Sequence, residues 1–212
     1  MSVKTKSKLE YLFNPKSIAI IGASANMNKI GGRPLKFLIK NKYKGRILPV
    51  NSKYQDIQGY KCYSNIEEIE EDIDLAIIAL PANSVISSLK ACERKGVKAA
   101  VIFSSGFAEL GEEGQKLQEE INKIAMKSGM QITGPNSVGI INVPQGVGAT
   151  MSQILEENVS QDPIALVSQS GAYGTFIAAM LRNSGLGFNY FVSTGNEATL
   201  EYADYLEYFV EK

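Results

Sequence analysis

Short apolar runs alternate with amphipathic stretches along this chain, and that alternation points to a parallel sheet covered by helices. The runs are Ser17–Ile21, Arg46–Val50, Asp74–Ala79, Ala99–Phe103 and Gln131–Thr133. They are rich in Ile, Val and Ala, with little polar alternation. A strand wet on one face alternates; a strand covered on both faces does not. Between the runs the period becomes helical. Val85, Ile86, Leu89 and Cys92 follow Asn83 and Ser84, either of which suits an N-cap, and Gly96 suits a left-handed C-cap. A second helix is expected from about Glu112 to Lys127, with Leu117, Ile121 and Ile124 on one face and Gly129 at its end.

Residues 142–161 carry Pro, Gly and polar side chains with little period, and read as a connection. The pattern then restarts with strand Ile164–Val167, helix Ala172–Arg182, strand Phe188–Ser193 and helix Glu197–Tyr208. The expected division is residues 1–142 as one domain, 143–161 as linker and 162–212 as part of a second. Two parallel strands with two helices make a poor core by themselves. The second piece therefore either packs hard against the first or is cut short of a complete domain, and the sequence favours the latter. An exposed edge on so small a sheet also favours a partner and an oligomer.

In an open parallel sheet, ligands bind outside the carboxyl ends of the strands. The residues that follow each strand are small, polar or glycine: Gly22-Ala-Ser24 and Gly31-Gly32, then Asn51-Ser-Lys53, Leu80-Pro81-Ala-Asn83, Ser104-Ser105-Gly106-Phe107 and Gly134-Pro-Asn136-Ser-Val-Gly139. Each alone has an ordinary reading as a turn, a surface lysine or a helix start. Five successive strand ends of this character suggest a nucleotide-binding rim, with a phosphate delivered to the helix start behind Ile30-Gly-Gly-Arg33. Lys53 changes the ligand. NAD sites place a carboxylate after the second strand to hold the ribose 2′-hydroxyl, and here that position carries a cation. A phosphorylated ribose, as in coenzyme A or NADP, suits it better.

The second piece holds another anion motif, Val167-Ser168-Gln-Ser170-Gly171-Ala172-Tyr173. Ser168, Ser170 and the amides of Gly171 and Ala172 could hold a phosphate at a helix start, and a plain serine N-cap is the competing reading. The run lacks the length and lysine of a Walker A loop and the Gly-x-Ser-x-Gly of a nucleophile elbow. Ser193-Thr-Gly-Asn196 adds a polar glycine turn on the same edge.

Composition removes several classes. With Lys+Arg and Asp+Glu both at 22 the net charge is zero, which offers no electrostatic grip on nucleic acid or an anionic membrane. No apolar stretch has membrane-spanning length, and residues 1–8 lack the apolar core of a signal peptide. Cys62 and Cys92 form no C-x-x-C pair and suit a reduced, cytoplasmic setting. The chain has no histidine, which removes imidazole base catalysis, a serine triad and most metal sites.

Taken in order, Phe13–Ser24, Val50–Lys53, Leu80-Pro81, Gly106-Phe107, Gly134–Gly139, Ser168–Gly171 and Ser193–Asn196 resemble the NDP-forming acyl-CoA synthetases. The chain is similar to the α subunit of succinyl-CoA synthetase, and closer to the ADP-forming acetate–CoA ligases. The resemblance implies a Rossmann-like CoA-binding domain followed by the start of a flavodoxin-like, succinyl-CoA synthetase-like α/β domain. It implies that Gly22, Ser24, Lys53, Pro81, Ser104, Ser105, Gly106 and Phe107 line the CoA site, with Lys53 near the 3′-phosphate. Asn136 would lie near the thiol and acyl phosphate, and Ser168–Ala172 would hold the phosphate of a phosphohistidine. The family's reaction is acyl-CoA + ADP + phosphate ⇌ acid + CoA + ATP. With no histidine here, catalytic residues are expected outside this chain. ATP or ADP and Mg²⁺ are expected on an ATP-grasp domain or β subunit. Ser137 stands where relatives often have Cys. The competing functions are a non-catalytic CoA-sensing module and an NADP-dependent oxidoreductase; against the latter, Ser24 replaces the second glycine of G-x-G-x-x-G.

Overall fold

The structure, a computed structural model, describes residues 8–211; the N-terminal segment without a signal-peptide core lies outside them apart from Lys8. The elements run α1 (Glu10–Phe13), β1 (Ser17–Ile21), α2 (Arg33–Lys40), β2 (Arg46–Val50), β3 (Asp56–Ile57), β4 (Tyr60–Lys61), β5 (Leu75–Ile78), α3 (Val85–Lys95), β6 (Ala99–Ile102), α4 (Glu112–Ser128), β7 (Gln131–Thr133), β8 (Gly139–Asn142), β9 (Val147–Thr150), β10 (Ala165–Ser168), α5 (Gly171–Asn183), β11 (Tyr190–Ser193) and α6 (Tyr202–Val210).

The first sheet is parallel throughout, in the order β2-β1-β5-β6-β7. The five expected strands are its five strands. Their unbroken apolar character has the physical cause proposed for it. Ile18 and Ile20 of β1 enter one buried cluster with Leu75, Ile77, Ala99 and Val101. Ala19 and Ile21 enter the opposite cluster with Ala76, Ile78, Ala100 and Ile102. Each fully buried Ile or Val contributes about 1.5–3 kcal/mol relative to exposure. The chain leaves β1 to form β2 on one side, then crosses to β5 on the other. That reversal splits the loops after β1 and β5 and opens a crevice between them.

The helices follow the sequence in outline and depart in detail. Gly96 and Gly129 end α3 and α4 in the left-handed conformation, as expected. Neither Asn83 nor Ser84 caps α3 with its side chain; the Ser84 hydroxyl donates to the Asn83 side chain at 3.2 Å, within a short 3₁₀ turn. On α4, Ile121 and Ile124 are buried, whereas Leu117 is 36% exposed. The last helix starts at Tyr202 rather than Glu197, because Glu201 and Asp204 form a reciprocal capping box there.

The larger differences concern the second piece. Residues 143–161 hold β9 and a 3₁₀ turn at Gln153–Glu156. Strand β9 pairs antiparallel with β8, and β8 pairs antiparallel with β11. The second sheet therefore has four strands in the order β10-β11-β8-β9. It also packs hard against the first. Ile140, Val147, Ala149, Val192, Tyr205 and Tyr208 share one core with Ile18, Ile20, Leu75 and Ile77. The Phe13 ring lies 5.1 Å from Tyr208, 5.0 Å from Phe209 and 5.7 Å from Tyr190. The buried Thr133 and Tyr205 hydroxyls pair at 2.9 Å, and Asn142 donates to the Phe13 carbonyl at 2.8 Å. On the far side, Arg33 donates to the Met151 carbonyl and Lys36 pairs with Glu156, which pins α2 to the segment after β9.

Phe13 links the two sheets, so removing its ring should loosen both. The expected result for Phe13→Ala is a loss of about 3–5 kcal/mol. It should appear in urea unfolding as one cooperative transition moved to lower midpoint, for both halves of the chain together.

Candidate functional site

The crevice lies on the carboxyl edge of the first sheet, and Gly22 makes it possible. Its φ is +87°, and a Cβ there would sit 2.5 Å from the Ala79 carbonyl oxygen. A Cβ on Gly31 would sit 2.0 Å from the Gly22 carbonyl oxygen. The loop before α2 thus folds back directly onto the turn after β1. The Gly22 and Ala23 amides donate to the Val50 carbonyl, and the Asn51 side chain donates to the Ala23 carbonyl at 2.7 Å. These bonds lock the loops after β1 and β2 together.

Two clefts open from this edge on either side of Leu80, which lines both. One, of about 450 Å³, is bounded by Gly22, Lys53, Asn65 and Ser88. The other, of about 430 Å³, is bounded by Pro81, Ser104, Ser105 and Asn136. Three of the six serine hydroxyls in the walls are already committed. Ser87 and Ser88 donate to the Ser84 carbonyl, and Ser104 donates to the Leu80 carbonyl. The exposed Lys53 ammonium and the Ser105 hydroxyl have no hydrogen-bond or ion-pair partner among the described residues. Lys53 is therefore held by its backbone, whose amide donates to Asn51 Oδ1 at 3.0 Å, while its charge remains available.

The start of α2 offers fewer free amides than its glycines suggest. The amides of Gly32 and Arg33 both donate to the Lys29 carbonyl, and Pro34 has no N–H to offer. Gly31 and Gly32 also serve close packing. Ser24 faces this loop, its hydroxyl accepting from the Asn26 amide at 3.1 Å and its amide donating to the Gly31 carbonyl. Phe107 is fully buried in the lower core, so its side chain supports the rim from beneath and does not line the cleft. Gly106 lies on the rim with its amide turned to Glu109. Ile30, Ser64, Ser88 and Met151 line the clefts without having stood out in the sequence. Met151 arrives from the segment after β9, over a hundred residues from Gly22, and no local pattern announces such a contact.

At the far end, Asn136 has a φ of +58°, a conformation that Asn tolerates better than most residues. Its amide donates to the Ser104 carbonyl at 2.7 Å. Beside it begins α5. Ser170 is the N-cap and accepts from the Tyr173 amide at 3.2 Å, while the Gly171 and Ala172 amides have no partner among the described residues. Ser168 braces the turn by donating to the Ser170 carbonyl at 2.8 Å, so its hydrogen is already spent. A Cβ on Gly171 would meet the Val138 side chain at 2.4 Å, which puts this helix start against the 134–139 loop. The 134–139 loop thus carries Asn136 in the wall of the second cleft and packs its Val138 against an open helix N-terminus. Burial works against the charge of Glu109 nearby, but hydrogen bonds from Asn196 and from the Gly106 and Phe107 amides hold its carboxyl below the ordinary range.

A family model described as a CoA binding domain matches residues 16–143. The chain belongs to the CoA-binding domain family. A second model, the succinyl-CoA ligase like flavodoxin domain, matches residues 161–212. The relatives agree with the resemblance to NDP-forming synthetases. Over 205 residues the chain is 43% identical to the acetate–CoA ligase (ADP-forming) I subunit α of Pyrococcus furiosus, covering 95% of this chain and 44% of that one. It is 38% identical over 212 residues to a trans-feruloyl-CoA synthase of an unknown prokaryote, covering 98% of this chain and 30% of the relative. Among solved structures it matches a Candidatus Korarchaeum cryptofilum acetyl-coenzyme A synthetase 1, in complex with phosphate and ADP, at a TM-score of 0.90 and 35% identity, over 96% of this chain and 43% of the other. The chain spans less than half the length of each of these. No helix among the described residues is long and apolar enough to cross a membrane.

Gly22→Ala should be costly even though it adds one methyl group to a surface loop. Left-handed φ alone is worth about 1–2 kcal/mol. Differential scanning calorimetry should therefore show a melting temperature lower by several degrees, with the added clash deepening the loss.

Proposed function

We propose that this chain is the CoA-binding part of an ADP-forming acid–CoA ligase. The observation that carries the proposal is the 134–139 loop, which places Asn136 in the wall of a cleft of about 430 Å³ and packs Val138 against the open N-terminus of α5. A ligase that makes a thioester through an acyl phosphate must bring a thiol and a phosphoryl group together. The cleft has the polarity for CoA: a free cation, Lys53, at one end and the narrow, mostly apolar wall of Leu80, Pro81 and Phe103 toward the other. Lys53 would pair with the ribose 3′-phosphate, and the pantetheine arm would run past Leu80 to Asn136. Gly22, Ser24, Pro81, Ser104, Ser105 and Gly106 would shape the path. The amides of Gly171 and Ala172, with Ser170, would receive the phosphoryl group.

The overall reaction would be acyl-CoA + ADP + phosphate ⇌ acid + CoA + ATP. With no histidine in the chain, a phosphohistidine carrier would lie outside these residues, as would ATP or ADP and Mg²⁺, on an ATP-grasp domain or a β subunit. The acid itself would be selected elsewhere too. Relatives named for acetate and for ferulate both align over nearly all of this chain at about 40% identity. Two free, buried cysteines suit a cytoplasmic setting. The NADP reading is weakened by Ser24, which stands where G-x-G-x-x-G has its second glycine, and by a family match to a CoA binding domain.

Isothermal titration with CoA and dephospho-CoA tests the assignment. The unaltered chain should prefer CoA, and Lys53→Ala should remove that preference by lowering CoA affinity roughly fivefold to tenfold. Equal affinity of the unaltered chain for both ligands would remove the role of Lys53. No binding of either would overturn the proposal.

A further inference from the structure

Asn196 sits in the loop after β11, in the half of the chain outside the CoA-binding domain match, yet its contacts reach into the cleft of the first half. Its Nδ2 donates to Glu109 and, at 3.0 Å, to Gln118 Oε1. Its Oδ1 accepts from Asn136 Nδ2 at 3.2 Å. Its backbone amide donates to the Pro135 carbonyl at 2.9 Å, and its carbonyl accepts from Gln118 Nε2 at 3.4 Å. Both side-chain donors and the side-chain acceptor are therefore engaged. The orientation follows from the partners: turned the other way, the amide would set its oxygen against a carboxylate and a carbonyl oxygen.

Two rim segments hang from this residue. Glu109 passes the grip to the loop after β6, where its carboxylate accepts from the Gly106 amide at 2.5 Å and the Phe107 amide at 3.2 Å. Asn136, in its left-handed conformation, is held from the other side. The neighbouring Gly195 brings the loops this close, since a Cβ there would lie 2.3 Å from the Pro135 carbonyl oxygen. Building on the function proposed above, we propose that Asn196 is a positioning residue that holds Asn136 and the Ser104–Gly106 rim, and so sets the grip on the pantetheine arm and thiol of CoA. Lys53, at the opposite end, lies outside this network and governs the adenosine 3′-phosphate end independently.

The two ends can be probed separately in the full chain. The ligands are CoA, which fills the whole cleft, and adenosine 3′,5′-bisphosphate, which reaches only the Lys53 end. Asn196→Asp keeps the shape but sets a carboxylate against Glu109, and should weaken CoA by about tenfold while leaving the bisphosphate within about twofold. Pairing it with Glu109→Gln restores a donor between the two positions and should recover most of the CoA affinity. A purely structural staple would lower both ligands together, or neither, and would show no recovery; any of these results overturns the inference. Should Asn196→Asp fail to fold, the double variant and Asn136→Ala, which removes one partner of Asn196, carry the same comparison. Should the unaltered chain bind neither ligand, the functional reading itself falls and takes this inference with it. If it binds CoA and Lys53→Ala has its expected effect while CoA affinity ignores Asn196, only this inference falls.

Discussion

Every strand of the first sheet is covered on both faces, and the rest of the molecule follows from that burial. Alternate residues of β1 enter opposite cores, so no position along the strand can carry an uncompensated polar group. Polar chemistry is driven to the loops at the strand ends. The order β2-β1-β5-β6-β7 then places the crossing point beside Gly22, where loops leave in opposite directions and a crevice opens. The close approach of Gly22 to Ala79 and of Gly31 to Gly22 shapes the mouth of that crevice without any side chain in the way.

The second sheet is anchored by the same apolar surface. One core runs from β1 and β5 through Phe13 to β8, β11 and α6. A four-stranded sheet whose inner residues serve a neighbour's core does not need a complete hydrophobic interior of its own. Strands β8 and β9 extend the second sheet and the first sheet covers one side of it, while Tyr173, Phe176 and Met180 of α5 remain exposed and the chain spans less than half the length of its relatives. The shared core also holds the 134–139 loop against the start of α5, so one loop serves both candidate binding regions.

Much of this was readable from residue order. The five strand runs, the glycine ends of α3 and α4, and the polar residues after each strand all arise from local rules, because burial on both faces and left-handed caps leave marks within a few positions. Lys53 stood out for the same reason, as a cation at a defined strand end. What failed did so through competition for hydrogen bonds. Ser168 and Gly32 looked like anion donors, but the Ser168 hydroxyl donates to the Ser170 carbonyl and the Gly32 amide to the Lys29 carbonyl. Phe107 looked like a rim residue and is buried beneath the rim. Met151 gave no signal, and Asn196 stood out only as the end of a polar glycine turn, since their contacts depend on chain segments far away in sequence.

By itself, the amino-acid order determined a parallel α/β sheet, an edge of small and polar loops with the cation Lys53 after β2, and a chain without histidine, since each depends on residue type and short spacing. Tertiary structure alone decided that the second piece shares the first one's core, that Asn196 braces Asn136, and which of the candidate donors remain free. Those outcomes depend on which groups meet across the fold, and a hydrogen bond or a buried contact between distant segments leaves no periodic trace in either one.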